Sequence, residues 1–112
     1  MAKKVEIKFA GEDYTLVYTL DSIRTMERAG FDIDKASNMP ITSTEALLTG
    51  AFIENHGRAI KNGIPEKIIK NGVPKQLLAA LVEMYHEALE MYFKDDDDGE
   101  DGEKKLVWEK NF

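Results

Sequence analysis

Residues 74–93 read PKQLLAALVEMYHEALEMYF, and their spacing decides how the rest of the chain must fold. Leu77, Leu78, Leu81, Val82, Tyr85, Leu89 and Tyr92 recur at steps of three and four, the period of one helix face. Pro74 suits the first helical position, where its fixed φ fits and its missing N–H would have no partner. At 1.5 Å rise per residue such a helix is about 30 Å long, enough to span a small domain. An apolar stripe on an isolated helix does not offset the entropy of ordering it, so this helix needs a surface to dock on.

Working toward the N-terminus, a proline-led stretch precedes it. Thr42 and Glu45 stand at capping-box spacing, with Ile41 and Ala46 placed for a weak hydrophobic staple. Leu47, Leu48, Ala51, Phe52, Asn55 and Ala59 mark one face of a helix running to Asn62-Gly63. Gly50 in its middle costs about 1 kcal/mol against alanine, which points to a close helix–helix contact there. A short repeat follows, KNGIPEKII (61–69) and KNGVPKQLL (70–78). Each unit puts Asn-Gly where a helix ends and Pro where the next begins, so the two read as successive helix stops around a one-turn connector. Two units are too few for a solenoid.

Farther upstream, Val5, Ile7 and Phe9 alternate with Glu6 and Lys8, and Tyr14, Leu16 and Tyr18 alternate with Thr15 and Val17. Ala10-Gly11-Glu12-Asp13 between them is turn-prone, giving a β-hairpin with one apolar face. Two strands are marginal alone, so helices must cover that face. Thr19 caps the next helix, Asp21 complements its dipole, and Leu20, Ile23 and Met26 form its stripe. Gly30 and Phe31 fit a Schellman ending that returns to Met26.

Downstream, residues 95–103 hold seven acids, a density that repels itself and predicts a flexible acidic linker over 94–104. Residues 105–112 are apolar again through Leu106, Val107, Trp108 and Phe112. They read as a short strand or hook that returns to the hairpin edge or engages a partner. The fold class is therefore α+β: a single domain over 1–93, with the hairpin packed on about three main helices, then the linker and the hook.

The 112 residues are 43% hydrophobic, enough for one core. There is no cysteine, which excludes disulfides and suits a reducing cytoplasm. No apolar run is long enough for a membrane span, and the N-terminus lacks a signal-peptide apolar region. Net charge is −6; residues 94–112, with eight acids and four bases, carry −4 of it, which leaves −2 for 1–93. No basic cluster points to nucleic acid.

Candidate chemistry is sparse. The acidic tract fails as an EF-hand loop in both registers: with Gly99 at position six the first and twelfth positions are Lys94 and Lys105, and with Gly102 there the third is Gly99 and the twelfth Trp108. Glu83 and His86 have the Glu-x-x-His spacing of di-metal bundles, but His56, the other histidine, lacks a matching glutamate, so a surface pair is the plainer reading. No nucleophile elbow, metalloprotease motif or phosphate loop occurs. The reading is non-enzymatic, with no cofactor and no metal. What remains is surplus apolar surface. Met84 and Met91 lie off the main stripe of the long helix, where adaptable methionine serves either a partner or the core beneath the hairpin. Phe52, Leu81, Met84, Tyr85, Met91 and Trp108 form the candidate partner-binding set. On that reading, Met84→Lys with Met91→Lys abolishes partner binding without unfolding the domain.

The segments KFAGEDYTLVYTLDSIRTMERAGFDID (8–34) and PITSTEALLTGAFIENH (40–56), followed by an Ala/Leu-rich helix ending in tyrosine, resemble the small tail assembly chaperones of long-tailed, siphovirus-type bacteriophages and prophages. The resemblance covers about residues 5–93, and the KLVWEKNF end fits it. It implies a protein of the host cytoplasm, absent from the mature virion. Such a protein coats the tape measure protein and recruits tail tube subunits, with self-association possible. The resemblance also implies the unextended product of a gene that many phages frameshift. Two other readings are a structural virion component, such as a head–tail joining or tail subunit, and a host-directed acidic adaptor or inhibitor.

Overall fold

A computed structural model describes residues 3–93 and 108–111. The fold is α+β. Strand β1 (Val5–Phe9) pairs antiparallel with β2 (Glu12–Leu16), with Ile7 opposite Tyr14 and Val5 opposite Leu16. The two-residue turn has Ala10 at φ 53 and Gly11 at φ 83, the paired positive angles that suit strand twist. The apolar face holds Val5, Ile7, Phe9, Tyr14 and Leu16, as the alternation requires, and helices cover it.

Helix α1 (Leu20–Arg28) opens with a true capping box: the Thr19 hydroxyl accepts from Ser22 N–H, and Ser22 Oγ accepts from Thr19 N–H. It closes as expected. Phe31 N–H donates to Met26 C=O at 3.0 Å and Gly30 N–H to Glu27 C=O at 2.9 Å, the Schellman pair, with Gly30 at φ 102. A 3₁₀ turn (Ile33–Lys35) leads to α2 (Pro40–Phe52), α3 (Gly57–Lys61), α4 (Ile64–Asn71) and α5 (Lys75–Tyr92).

Several boundaries differ from the expected ones. Helix α2 begins at Pro40, not at a Thr42 cap, because proline takes the first position at no hydrogen-bonding cost; Met39 is its N-cap and makes no side-chain bond. Ile41 is 74% exposed, so no staple forms. The expected helix to Asn62 breaks at residues 53–56 and resumes as α3. The connector is an eight-residue helix rather than one turn, bounded by Gly63 at φ 74 and Gly72 at φ 102, as the two Asn-Gly stops indicate. Pro74 is extended (ψ 138) and precedes α5 instead of opening it.

The hub is α2, not the long α5. It touches α1, α3, α4, α5 and β2, and Leu47, Leu48, Ala51 and Phe52 are sealed within it. A helix apolar on so many sides belongs inside a domain. Its small residues allow neighbours to approach closely. A Cβ on Gly50 would strike the Met26 Sδ and lie 2.6 Å from its Cγ. Val17 N–H reaches the Ala51 carbonyl at 3.2 Å, using an acceptor that the helix end leaves free.

The acidic segment 94–104 lies outside the described residues, as do Leu106, Val107 and Phe112. Residues 108–111 are described and form no strand, so no described part of the C-terminus adds to the hairpin.

Gly50→Ala gains helix propensity of about 1 kcal/mol but overpacks against Met26, at a cost of about 1–3 kcal/mol. Thermal unfolding of this variant is expected at a lower Tm than the parent. The loss should shrink when Met26 is also shortened to Ala, a non-additivity that a double-mutant cycle reads directly.

Candidate binding surface

The core is built from two aromatic groups. Tyr85 stacks edge-on against Tyr18 and Phe31, with ring centroids 5.4 and 5.3 Å away. Phe52 lies 5.2 Å from Tyr14 and 6.0 Å from His56. The Tyr18 hydroxyl donates to the Leu47 carbonyl at 2.7 Å inside the domain. Burial holds its phenol well above the usual tyrosine range, and the neighbouring Tyr85 adds to this. Burial likewise raises Tyr85, with smaller contributions from Glu27 and Asp32.

This packing relocates most of the candidate set. Phe52, Leu81, Met84 and Tyr85 are each at most 3% exposed, so a partner cannot touch them while the domain is closed. The buried line of α5 is Leu81, Met84, Tyr85 and Ala88, rotated from the expected stripe so that Met84 falls at its centre and Tyr92 at solvent. Methionine and alanine fit either face, which is why periodicity left the rotation open. Met91 and Trp108 are exposed, at 48% and 66%.

Exposed apolar surface gathers instead on the last turn of α5, where Met91, Tyr92 and Phe93 follow the final buried residue, Ala88. Phe93 is 76% exposed, and its N–H makes a 3.3 Å bond to Glu90 C=O. Met39 and Ile41 form a second exposed apolar pair at the start of α2.

Polar groups are arranged for structure. Asn55, expected on a helix face, and His56, weighed only as a metal ligand, instead close the outer edge of β2. Thr15 N–H donates to His56 Nε2 at 2.9 Å, and Asn55 Nδ2 donates to Thr15 C=O at 3.2 Å. Their adjacency just past an apolar period is a faint signal, readable only once the strand edge is known. Glu83 turns to Lys3 at 2.6 Å, and Glu87 meets the same ammonium. The bonds to these two carboxylates hold Lys3 above the usual lysine range, and the Lys3 bond holds Glu83 below the usual carboxylate range. Glu83 is thus engaged away from His86. Among the described residues no three His, Asp or Glu side chains converge as metal ligands, and no helix is long and apolar enough to cross a membrane.

A family model described as a domain of unknown function, DUF5055, matches residues 1–112. The chain belongs to this family. No curated protein and no solved structure matches it. The DUF5055 match spans the hairpin, the helices and the acidic and tryptophan-bearing end alike.

Two measurements follow from this DUF5055 core. Met84→Lys places an unpaired charge among apolar side chains, at a cost on the order of 3–5 kcal/mol, a large part of a domain's total stability. Met91→Lys, at solvent, should change stability by no more than about 0.5 kcal/mol. Denaturant melts of the two single variants separate core from surface. As for pH, an unfolded chain releases tyrosine protons near pH 10, while the folded state retains those of Tyr18 and Tyr85. Their contribution is therefore flat below about pH 10 and falls as pH rises beyond it. Tyr18→Phe is expected to lose about 1 kcal/mol at neutral pH and to show a shallower alkaline decline.

Proposed function

We propose that this protein is a non-catalytic tail assembly chaperone of the phage type, which binds the tape measure protein and recruits tail tube subunits while a tail is built. The observation that carries the reading is the apolar end of α5. Met91, Tyr92 and Phe93 project past the core as three consecutive exposed side chains. Single exposed apolar residues are ordinary, whereas three gathered at one helix end offer a partner more apolar surface than a lone side chain does. A flexible methionine beside two aromatic rings adapts to many apolar partners, which suits a client that presents a long, repetitive, apolar helical surface. Trp108 supplies a further exposed aromatic contact. Each contact is small, but copies bound along one client gain avidity, so the affinity of a single site need not be high. The resemblance of residues 5–93 to tail assembly chaperones supports the same reading. On this reading the protein works in the host cytoplasm and is absent from the finished particle.

Burial of Met84 changes which variants test this. The informative pair is Met91→Lys with Phe93→Lys, both at solvent. Tagged full-length chain, expressed in cells producing the source phage or prophage, is expected to retain a very long helical protein. The double variant should lose that client while keeping the parent's circular dichroism and Tm. Purified particles should lack the chain. Client retention by the double variant, or recovery of the chain from particles, would overturn the proposal, the latter in favour of a structural virion component.

A further inference from the structure

The two edges of the hairpin are unequal. On β2 the outward N–H and C=O of Thr15 are taken by His56 and Asn55. On β1 the register pairs Val5, Ile7 and Phe9 with Leu16, Tyr14 and Glu12. A two-residue turn makes Phe9–Glu12 a hydrogen-bonded pair, and the alternation then turns the backbone groups of Glu6 and Lys8 outward. Among the described residues nothing bonds to them. Among the described residues the sheet is two-stranded and no strand lies on this edge. Open edges are templates for another strand.

The sequence of β1 says which strand fits. Laid antiparallel on a second copy of itself about a two-fold axis at Ile7, VEIKF puts Ile7 opposite Ile7, Val5 opposite Phe9, and Glu6 opposite Lys8. Both charge pairs are of opposite sign. The outward backbone groups are those of Glu6 and Lys8, so each Glu6–Lys8 pair is a narrow pair that exchanges both of its N–H···O bonds. A one-residue slip would set inward-facing groups against outward ones, and a two-residue slip would break the charge match. In this register the half-buried Val5, Ile7 and Phe9 of the two copies form one continuous apolar row. The contacts that Glu6 and Lys8 make within the chain, to Lys4 and Asp13, are 3.9 Å long and exposed, so they compete weakly.

We infer that β1 is a self-association edge, through which two copies of this chain join their hairpins into one four-stranded antiparallel sheet with isologous Glu6–Lys8 pairs. This is an interface between identical surfaces, as two-fold dimers require. It stands apart from the α5 end and needs no client.

Sedimentation velocity of the full chain over a range of concentrations tests it. The parent is expected to show a reversible monomer–dimer equilibrium that weakens with added salt. Glu6→Lys sets like charges opposite each other at both pairs and should raise the dimer Kd about tenfold or more. Lys8→Glu should do the same, although it also faces Asp13 within the hairpin. Because the axis exchanges the two positions, the double variant Glu6→Lys, Lys8→Glu should recover dimerisation. A mixture of the two single variants should form a heterodimer, since every facing pair is again of opposite sign. A parent that stays monomeric throughout, single variants that dimerise like the parent, or failure of both the double variant and the mixture to recover would overturn the inference.

Discussion

The structure depends on how closely its neighbours can approach α2. Gly50 and Ala51 present almost no side chain, so Met26 of α1 packs onto the helix on one side and the Val17 amide reaches its backbone on another. Leu47, Leu48 and Phe52 fill the remaining directions and are fully sealed. A helix that is apolar in so many directions has no stable place at a surface. The hairpin, α1, α4 and α5 are therefore arranged as a coat around it. The long helix that looks dominant in the sequence is one wall of that coat, held by Tyr85 against Tyr18 and Phe31.

The same hub accounts for the break after Phe52. Continued as a helix, the chain would have left the outer edge of β2 with an unpaired amide and carbonyl at Thr15. Turning at residues 53–56 brings Asn55 and His56 onto both groups, while the Thr19 hydroxyl donates to Glu54 at 2.9 Å. The interruption costs a few helical bonds and satisfies a strand edge, a cap and the connection into α1. One edge of the hairpin is thereby closed by side chains, and among the described residues nothing closes the other, along β1.

Much of the architecture was legible in the sequence because it rests on local chemistry. Alternation in Val5–Phe9 and Tyr14–Leu16 needs nothing beyond strand geometry, and the Thr19 cap, the Gly30 ending and the two Asn-Gly stops follow from backbone requirements at single positions. The features that escaped are set by distant partners. The end of α2 depends on Thr15, which Asn55 meets across a separation of 40 residues. The rotation of α5 depends on which of two overlapping apolar stripes meets Tyr18, and Met84 and Ala88 fit either. For that reason four of the six candidate binding residues, Phe52, Leu81, Met84 and Tyr85, proved to be core: a rich apolar residue on a docked helix looks the same whether its partner belongs to the same chain or to another. Exposure at Met91 and Phe93 is legible only from the point at which the other elements stop covering α5.

The α5 end and the β1 edge lie on different elements, so occupation of one leaves the other available. Lys3 touches both elements: it precedes β1 and is held by Glu83 and Glu87 of α5. That contact ties α5 to the start of β1. In a dimer joined through β1, each copy would contribute one α5 end. For a long client with repeating apolar turns, two linked weak contacts raise the effective concentration of the second without any new interaction, provided that the spacing matches the client. The charged edge then has a role beyond avoiding aggregation. Glu6 and Lys8 discourage pairing with an arbitrary strand, since most strands would place like charges or apolar side chains against them, and they accept the one strand whose charges run in the complementary order.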